Sequence, residues 1–256
     1  MIANNGCLTL LVVPCFNEEL RLNVSAWRST LLEFPNITWL FVNDGSNDMT
    51  WNLLNELNGV HNLLLLNLEK NVGKAESIRL GILSEINRNS YQIVGFVDSD
   101  RAFSNSDISE MLFFLECHAE FNAVISARVG LLGRNIERSN FRHYIGRILA
   151  TYIGLGSRNF PYDSQSGFKL FRNEPELVAS LQSMFLTRWY FDVELILRLT
   201  KEKGRQYRIW EYPIREWKDV AGSKINLSQS LRILKEIFIV RQLVQTHTKS
   251  MRQLWT

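Results

Sequence analysis

Apolar residues fall in short, dense runs through the first half of the chain, and longer amphipathic stretches separate them. The runs Leu8–Val13, Thr38–Asn43, Leu63–Leu68, Ile93–Asp98 and Ala123–Ser126 read as strands. Between them, Glu18–Glu33, Thr50–Asn58, Lys74–Arg88 and Ser106–Cys117 read as helices. Strands apolar on both sides, alternating with helices, predict a mostly parallel sheet covered on both faces, an α/β fold. In such sheets ligands bind beyond the carboxyl ends of the strands.

The second half has a different rhythm. It predicts a helix over Glu137–Leu155, a short strand over Gly167–Phe171, a helix over Phe191–Lys203, a strand over Tyr207–Tyr212 and a long amphipathic helix over Leu227–Leu254. The expected organisation is one domain over residues 1–226 with a helical extension over 227–256 in the same structural unit. With 46% hydrophobic and 21% charged residues, the 256-residue chain can form a packed core. A net charge of +3 is too small to imply nucleic acid, and none is expected as a partner. The three cysteines, Cys7, Cys15 and Cys117, form no CxxC pair, which favours a reducing compartment. Leu8–Val13 lacks a basic start and runs into Pro14, so it does not read as a secretory leader. No apolar run reaches the roughly 18 residues of a membrane span.

Polar clusters follow three of the strands. Pro14-Cys15-Phe16-Asn17-Glu18-Glu19 follows the first, Asn43-Asp44-Gly45-Ser46 the second and Asp98-Ser99-Asp100 the fourth. Parallel strands bring all three to one edge. Asp44 is a candidate acceptor for a nucleobase, or else a turn residue and cap. Asp98 and Asp100, at i and i+2, face the same way in an extended chain and repel each other unless a cation lies near. Their oxygens suit Mg²⁺ or Mn²⁺, which bridge diphosphates; the alternative is a solvated loop. Asn71-Val72-Gly73-Lys74 opens a helix and could seat an anion, or be an ordinary loop.

These segments resemble the family 2 glycosyltransferases. Tyr162-Asp163-Ser164-Gln165-Ser166-Gly167-Phe168-Lys169-Leu170-Phe171, Arg188–Leu195 and Gly222-Ser223-Lys224 are similar to the branch that glycosylates dolichyl or polyprenyl phosphate, with Ser164 and Ser166 where the branch has Thr and Cys. The resemblance runs over about residues 8–225 and implies a GT-A fold. It implies that Pro14, Phe16, Glu18 and Asp44 line a nucleotide pocket. Asp98 would help to hold the nucleotide sugar, and Asp100 would be the main metal ligand. Ser223 and Lys224 would close over the diphosphate, Gln165 would lie near the sugar or acceptor, and Asp192 would take the place of the catalytic acid or base.

The implied reaction displaces a nucleoside diphosphate with inversion, the donor being UDP-glucose. Lys224 and Arg128 would join the metal against the departing charge. The expected acceptor is polyprenyl phosphate, positioned by Arg134 or Arg138 within a basic stretch that also holds Arg142, His143 and Arg147. The rival acceptor is a lipid-linked sugar of surface polysaccharide synthesis. The final helix carries Arg232, Lys235, Arg241, Lys249 and Arg252 against one acid, Glu236. It reads as a surface anchor on the cytoplasmic face of a membrane, or as a helix facing core or partner. A nucleotidyltransferase would carry a glycine-rich basic loop after the first strand, and this chain does not. A silent scaffold would have no use for both aspartates and Asp192.

The acceptor decides whether a base is needed. A phosphate monoester, with a second pKa of about 6, is largely dianionic at neutral pH. A sugar hydroxyl must lose its proton during attack. Asp192→Asn is therefore expected to abolish transfer to a sugar hydroxyl and only to weaken transfer to a phosphate, measured as product formation with each acceptor.

Overall fold

A computed structural model describes residues 8–88, 90–137, 140–155, 160–200, 207–218 and 227–252, with 140–145, 218, 227–232 and 249–252 described by backbone alone. The strands are β1 (Thr9–Cys15), β2 (Ile37–Asp44), β3 (Leu63–Leu68), β4 (Ile93–Val97), β5 (Ala123–Ala127), β6 (Asn135–Glu137), β7 (Phe168–Arg172), β8 (Ile209–Pro213) and β9 (Glu216–Lys218). The helices are α1 (Val24–Glu33), α2 (Thr50–Asn55), α3 (Lys74–Ile86), α4 (Asn105–Cys117), α5 (Asn140–Gly154), α6 (Pro175–Leu181), α7 (Phe191–Leu199) and α8 (Leu227–Arg252).

Seven strands form one sheet in the order β3-β2-β1-β4-β7-β5-β8. The first four are parallel, with Thr9 opposite Ile37 and Val12 opposite Phe96. β7 enters antiparallel between β4 and β5, and β8 runs parallel to β5. The sheet is thus mostly parallel and flanked by helices, as the hydrophobic rhythm predicts. A second, two-stranded sheet pairs β6 with β9. Neither these two strands nor α6 is anticipated from the sequence. Three-residue strands with exposed ends carry too few alternations to register as a period.

Alternation in β1 sorts its residues between two cores. Leu11 and Val13 pack with Trp27, Trp39, Phe41, Met111 and Phe168 on one face. Leu10 and Val12 pack with Ile78, Ile82, Phe96, Phe171 and Phe191 on the other. A third cluster joins Ile153 of α5, Val193 of α7 and Ile237, Val240 and Val244 of α8. Glu236, the only acid of α8, is buried there and accepts the Trp189 amide at 2.7 Å. Arg241 donates to the carbonyls of Ile153 and Leu155 at the end of α5. One side of α8 is therefore a packing face, while Leu234, Lys235 and Phe238 stay exposed. No described helix is long and apolar enough to cross a membrane.

The first helix begins later than the expected Glu18. Asn17 adopts a left-handed φ of 52°. Asn23 then caps α1, its side chain accepting the Ala26 amide. Residues 18–22 are thereby kept as a turn under the strand ends.

Gly95 lies where β4 meets β7, and a Cβ there would sit 2.3 Å from the Lys169 carbonyl oxygen. The obstacle is backbone in a central strand, so it cannot swing aside. Gly95→Ala is expected to cost at least about 1–3 kcal/mol, read as a lower urea midpoint with an unchanged slope.

Candidate active site

The strand-end clusters meet at one edge because β2, β1 and β4 are adjacent and parallel. Backbone and short polar side chains lace them together. Asn17 and Glu18 donate their amides to Ser46 Oγ and Thr50 Oγ1, at 3.0 and 2.7 Å. Asp48 accepts the amides of Glu19 and Thr50. The turn after β4 is tied to α1, where Trp27 Nε1 donates to the Ser99 carbonyl at 3.0 Å. Arg101, at φ 56°, donates to the Ala26 carbonyl.

Asp44, the candidate nucleobase acceptor, ends β2. It is 2% exposed, and its carboxylate accepts the amides of Val72 and Gly73 at 2.7 and 2.8 Å and the Asn71 side chain at 2.9 Å. Burial holds its pKa above the ordinary value, against the pull of these amides and of Arg188. Asp44 therefore shapes the 71–73 loop that delivers Lys74. At the end of that loop, Lys74 Nζ lies 2.5 Å from Asp98 Oδ1. Burial would depress the Lys74 ammonium, but Asp98 and Asp192 outweigh it and hold its pKa above the usual lysine value.

Asp98 also touches the second half of the chain. A Cβ on Gly167 would come within 2.0 Å of Asp98 Oδ2, so only glycine lets β7 approach so closely. Asp100 accepts the Ala102 amide at 3.1 Å, and burial with the neighbouring Asp98 charge pushes its pKa up. Glu18 is raised by burial despite its 2.6 Å bond to Arg21, and its Oε2 is buried with no protein partner. The carboxylates of Asp98, Asp100 and Glu18 thus share two cations, Lys74 and Arg21. The hard oxygen donors of Asp98 and Asp100 would suit Mg²⁺ or Mn²⁺. Among the described residues no set of three His, Cys, Asp or Glu ligands forms.

Asp192 stands in the first turn of α7, 5% exposed, with its Oδ1 2.5 Å from Lys169 Nζ. Burial raises its pKa and lowers that of the fully buried Lys169, while mutual attraction opposes both shifts. Lys169 belongs to the 162–171 motif but has no role assigned from the sequence. Its signal was a lone charge inside an apolar strand. Arg188, likewise unassigned, donates to Asn71 and stands against Gly73.

Other expected residues lie differently. Arg128, expected to act on the departing diphosphate, is held by Asp163. Its guanidinium makes two 2.7 Å bonds to the buried Asp163 and stacks 4.8 Å from the Trp217 ring, which fixes the 162–167 loop. Arg134 has its charge beside Glu110 and Tyr212. Arg147 binds the Tyr162 carbonyl and covers its ring. Gln165 donates to the Trp189 carbonyl at 3.0 Å, joining the two motif segments. Pro14 is partly buried at the end of β1, and Phe16 follows it at 40% exposure. Arg138, Ser223 and Lys224, and the side chains of Arg142 and His143, lie outside the described residues.

Residues 10–181 match the family described as glycosyl transferase family 2. The chain belongs to this family. Dolichyl-phosphate beta-glucosyltransferase ALG5C of Trichomonas vaginalis is 28% identical, over 88% of this chain and 68% of that protein. The dolichyl-phosphate beta-glucosyltransferase of Homo sapiens is 29% identical, over 90% and 74% respectively. In three dimensions this family 2 member is similar to glucosyl-3-phosphoglycerate synthase of Mycobacterium tuberculosis in complex with UDP. The TM-score is 0.64 at 16% identity, covering 93% of this chain and 81% of the other. That likeness, at so low an identity, establishes the GT-A fold expected from the sequence.

The raised carboxylate at Asp100 has a consequence for stability. A folded-state pKa above the unfolded value means that the native state holds its proton longer, so stability is lost as pH rises past the ordinary carboxylate range. Without ligand, Asp100→Asn is expected to unfold at a higher temperature than the parent at neutral pH. The gap should close as pH falls toward about 4, while glycosyl transfer is lost. Thermal unfolding across pH, with a transfer assay, reads both.

Proposed function

We propose that this family 2 member transfers a hexose, glucose from UDP-glucose, with inversion to polyprenyl phosphate at the cytoplasmic face of a membrane. The observation that carries the choice of acceptor is the Lys169–Asp192 pair. The carboxylate in the place of the base is buried and already holds an ammonium at 2.5 Å. Such a group is poorly placed to strip a hydroxyl, and a phosphate needs no stripping. The similarity to dolichyl-phosphate beta-glucosyltransferases over most of the chain supports the same acceptor class.

Asp98 and Asp100 would hold Mg²⁺ or Mn²⁺, whose positive charge weakens the bond to the leaving diphosphate. A glucosyl-3-phosphoglycerate synthase structure with Mn²⁺ and UDP-glucose, 14% identical with a TM-score of 0.62 over 95% of this chain and 80% of that one, has the same fold. Lys74 balances Asp98 from the protein side, leaving Asp100 as the stronger claimant on the cation. Pro14, Phe16, Glu18 and Asp44 would line the nucleotide pocket at the ends of β1 and β2. Ser223 and Lys224 would close the diphosphate from above, and Arg138 would join the acceptor phosphate. The GT-A domain over residues 1–226 would be steadied by the extension over 227–256. Exposed Leu234, Lys235 and Phe238 of α8, with Ile148, Tyr152 and Leu155 of α5, support a membrane-facing side.

A screen of nucleotide sugars against polyprenyl phosphate and lipid-linked sugars, with Mn²⁺ or with a chelator, tests the reading by product mass. The expected product is polyprenyl phosphate one hexose heavier, formed from UDP-glucose and only with metal. Product confined to the lipid-linked sugars would transfer the assignment to chain extension. Failure to consume any nucleotide sugar would end it.

A further inference from the structure

Four charges alternate beneath the strand ends: Lys169, Asp192, Lys74 and Asp98. Two of them compete for one partner. Asp192 carries a single negative charge, and both Lys169 and Lys74 act on it. Lys74 is shared in turn, since Asp98 and Asp192 both draw its ammonium. In the structure Lys74 Nζ stands on Asp98 Oδ1 at 2.5 Å.

The geometry settles that competition through Lys169. Its side chain is 0% exposed, with the ammonium 5.3 Å from the centre of the Phe96 ring. Nζ donates to Asp192 Oδ1 and to the Ser166 carbonyl, both at 2.5 Å. A buried amine with two fixed acceptors has nowhere else to go. The Lys74 side chain is 38% exposed, so it retains freedom to turn.

We propose that Lys169 is a positioning residue of the donor site: by neutralising Asp192 it leaves Lys74 committed to Asp98. The Asp98–Asp100 pair then meets a metal–diphosphate with one of its two negative charges already balanced and held in place. Without Lys169, the buried Asp192 is left short of a partner, and Lys74, the other lysine that acts on it, would turn to it. Asp98 would then lose its counter-charge although nothing near it has been altered. The Ser166 carbonyl adds a link to β7, because the same ammonium fixes the loop that carries Gly167 against Asp98.

The inference rests on the proposed donor reading, and it predicts a reversal that simple structural damage does not give. In Lys169→Met, binding of UDP with Mn²⁺, measured by calorimetry, is expected to weaken by about tenfold or more. The double variant K169M/D192N removes both charges, frees Lys74 for Asp98 and should bind UDP within about threefold of D192N alone. Crystal structures give a second readout, with Lys74 Nζ turned from Asp98 to Asp192 in K169M and back on Asp98 in the double variant. Should K169M fail to fold, a folded double variant that binds like D192N supports the proposal. Undiminished UDP binding by K169M, a double variant as weak as K169M, or Lys74 remaining on Asp98 in K169M would overturn it. If the parent enzyme binds no UDP, the donor reading falls by itself, and the position of Lys74 in K169M still decides this inference.

Discussion

A carboxylate under a sheet edge needs a nearby opposite charge or hydrogen-bond donors aimed at it, and the site is organised around that constraint. Asp98 is balanced by Lys74, and Asp192 by Lys169. Asp44 has no cation bonded to it and instead collects amides from the 71–73 loop. Asp100 and Glu18 remain raised by burial, with less compensation than their neighbours. Charge left uncompensated in a folded protein is a standing cost, and such residues concentrate where a ligand will supply the missing partner.

Most of the sheet is legible in the chain because its first four strands are dense apolar runs, three of them almost wholly buried. Their order in space was not written in that pattern. β7 reads like any other apolar run, and nothing in Phe168–Arg172 announces that it runs antiparallel or that it inserts between β4 and β5. The convergence of the Asp44 and Asp98 segments followed from parallelism alone. Their roles did not, since whether a carboxylate faces solvent or its own backbone depends on a loop some 28 residues away in sequence.

Arginines and lysines were hardest to assign. Arg128 looked available to a diphosphate, yet Asp163 and the Trp217 ring take it up from two other elements. Lys169 looked like part of a motif and proves to be a buried counter-ion. In both cases the deciding partner lies far along the chain. A long basic side chain has the reach to choose among several acids, and sequence spacing does not rank them. The final helix shows the same ambiguity, for its only acid is turned inward to hold the Trp189 amide while other polar residues remain outside.

The antiparallel entry of β7 has a consequence for assembly. Residues 9–100 supply the four parallel strands and both aspartate-bearing turns, but the outer edge of β4 stays unpaired until Phe168–Arg172 returns from some seventy residues downstream. Closing so long a loop is slow and is rewarded only at the end. During synthesis the nucleotide-facing half therefore emerges as an incomplete template, with an open hydrogen-bonding edge where Asp98 will be. The strand that seals that edge carries Lys169, so structural completion and electrostatic completion of the cleft arrive together.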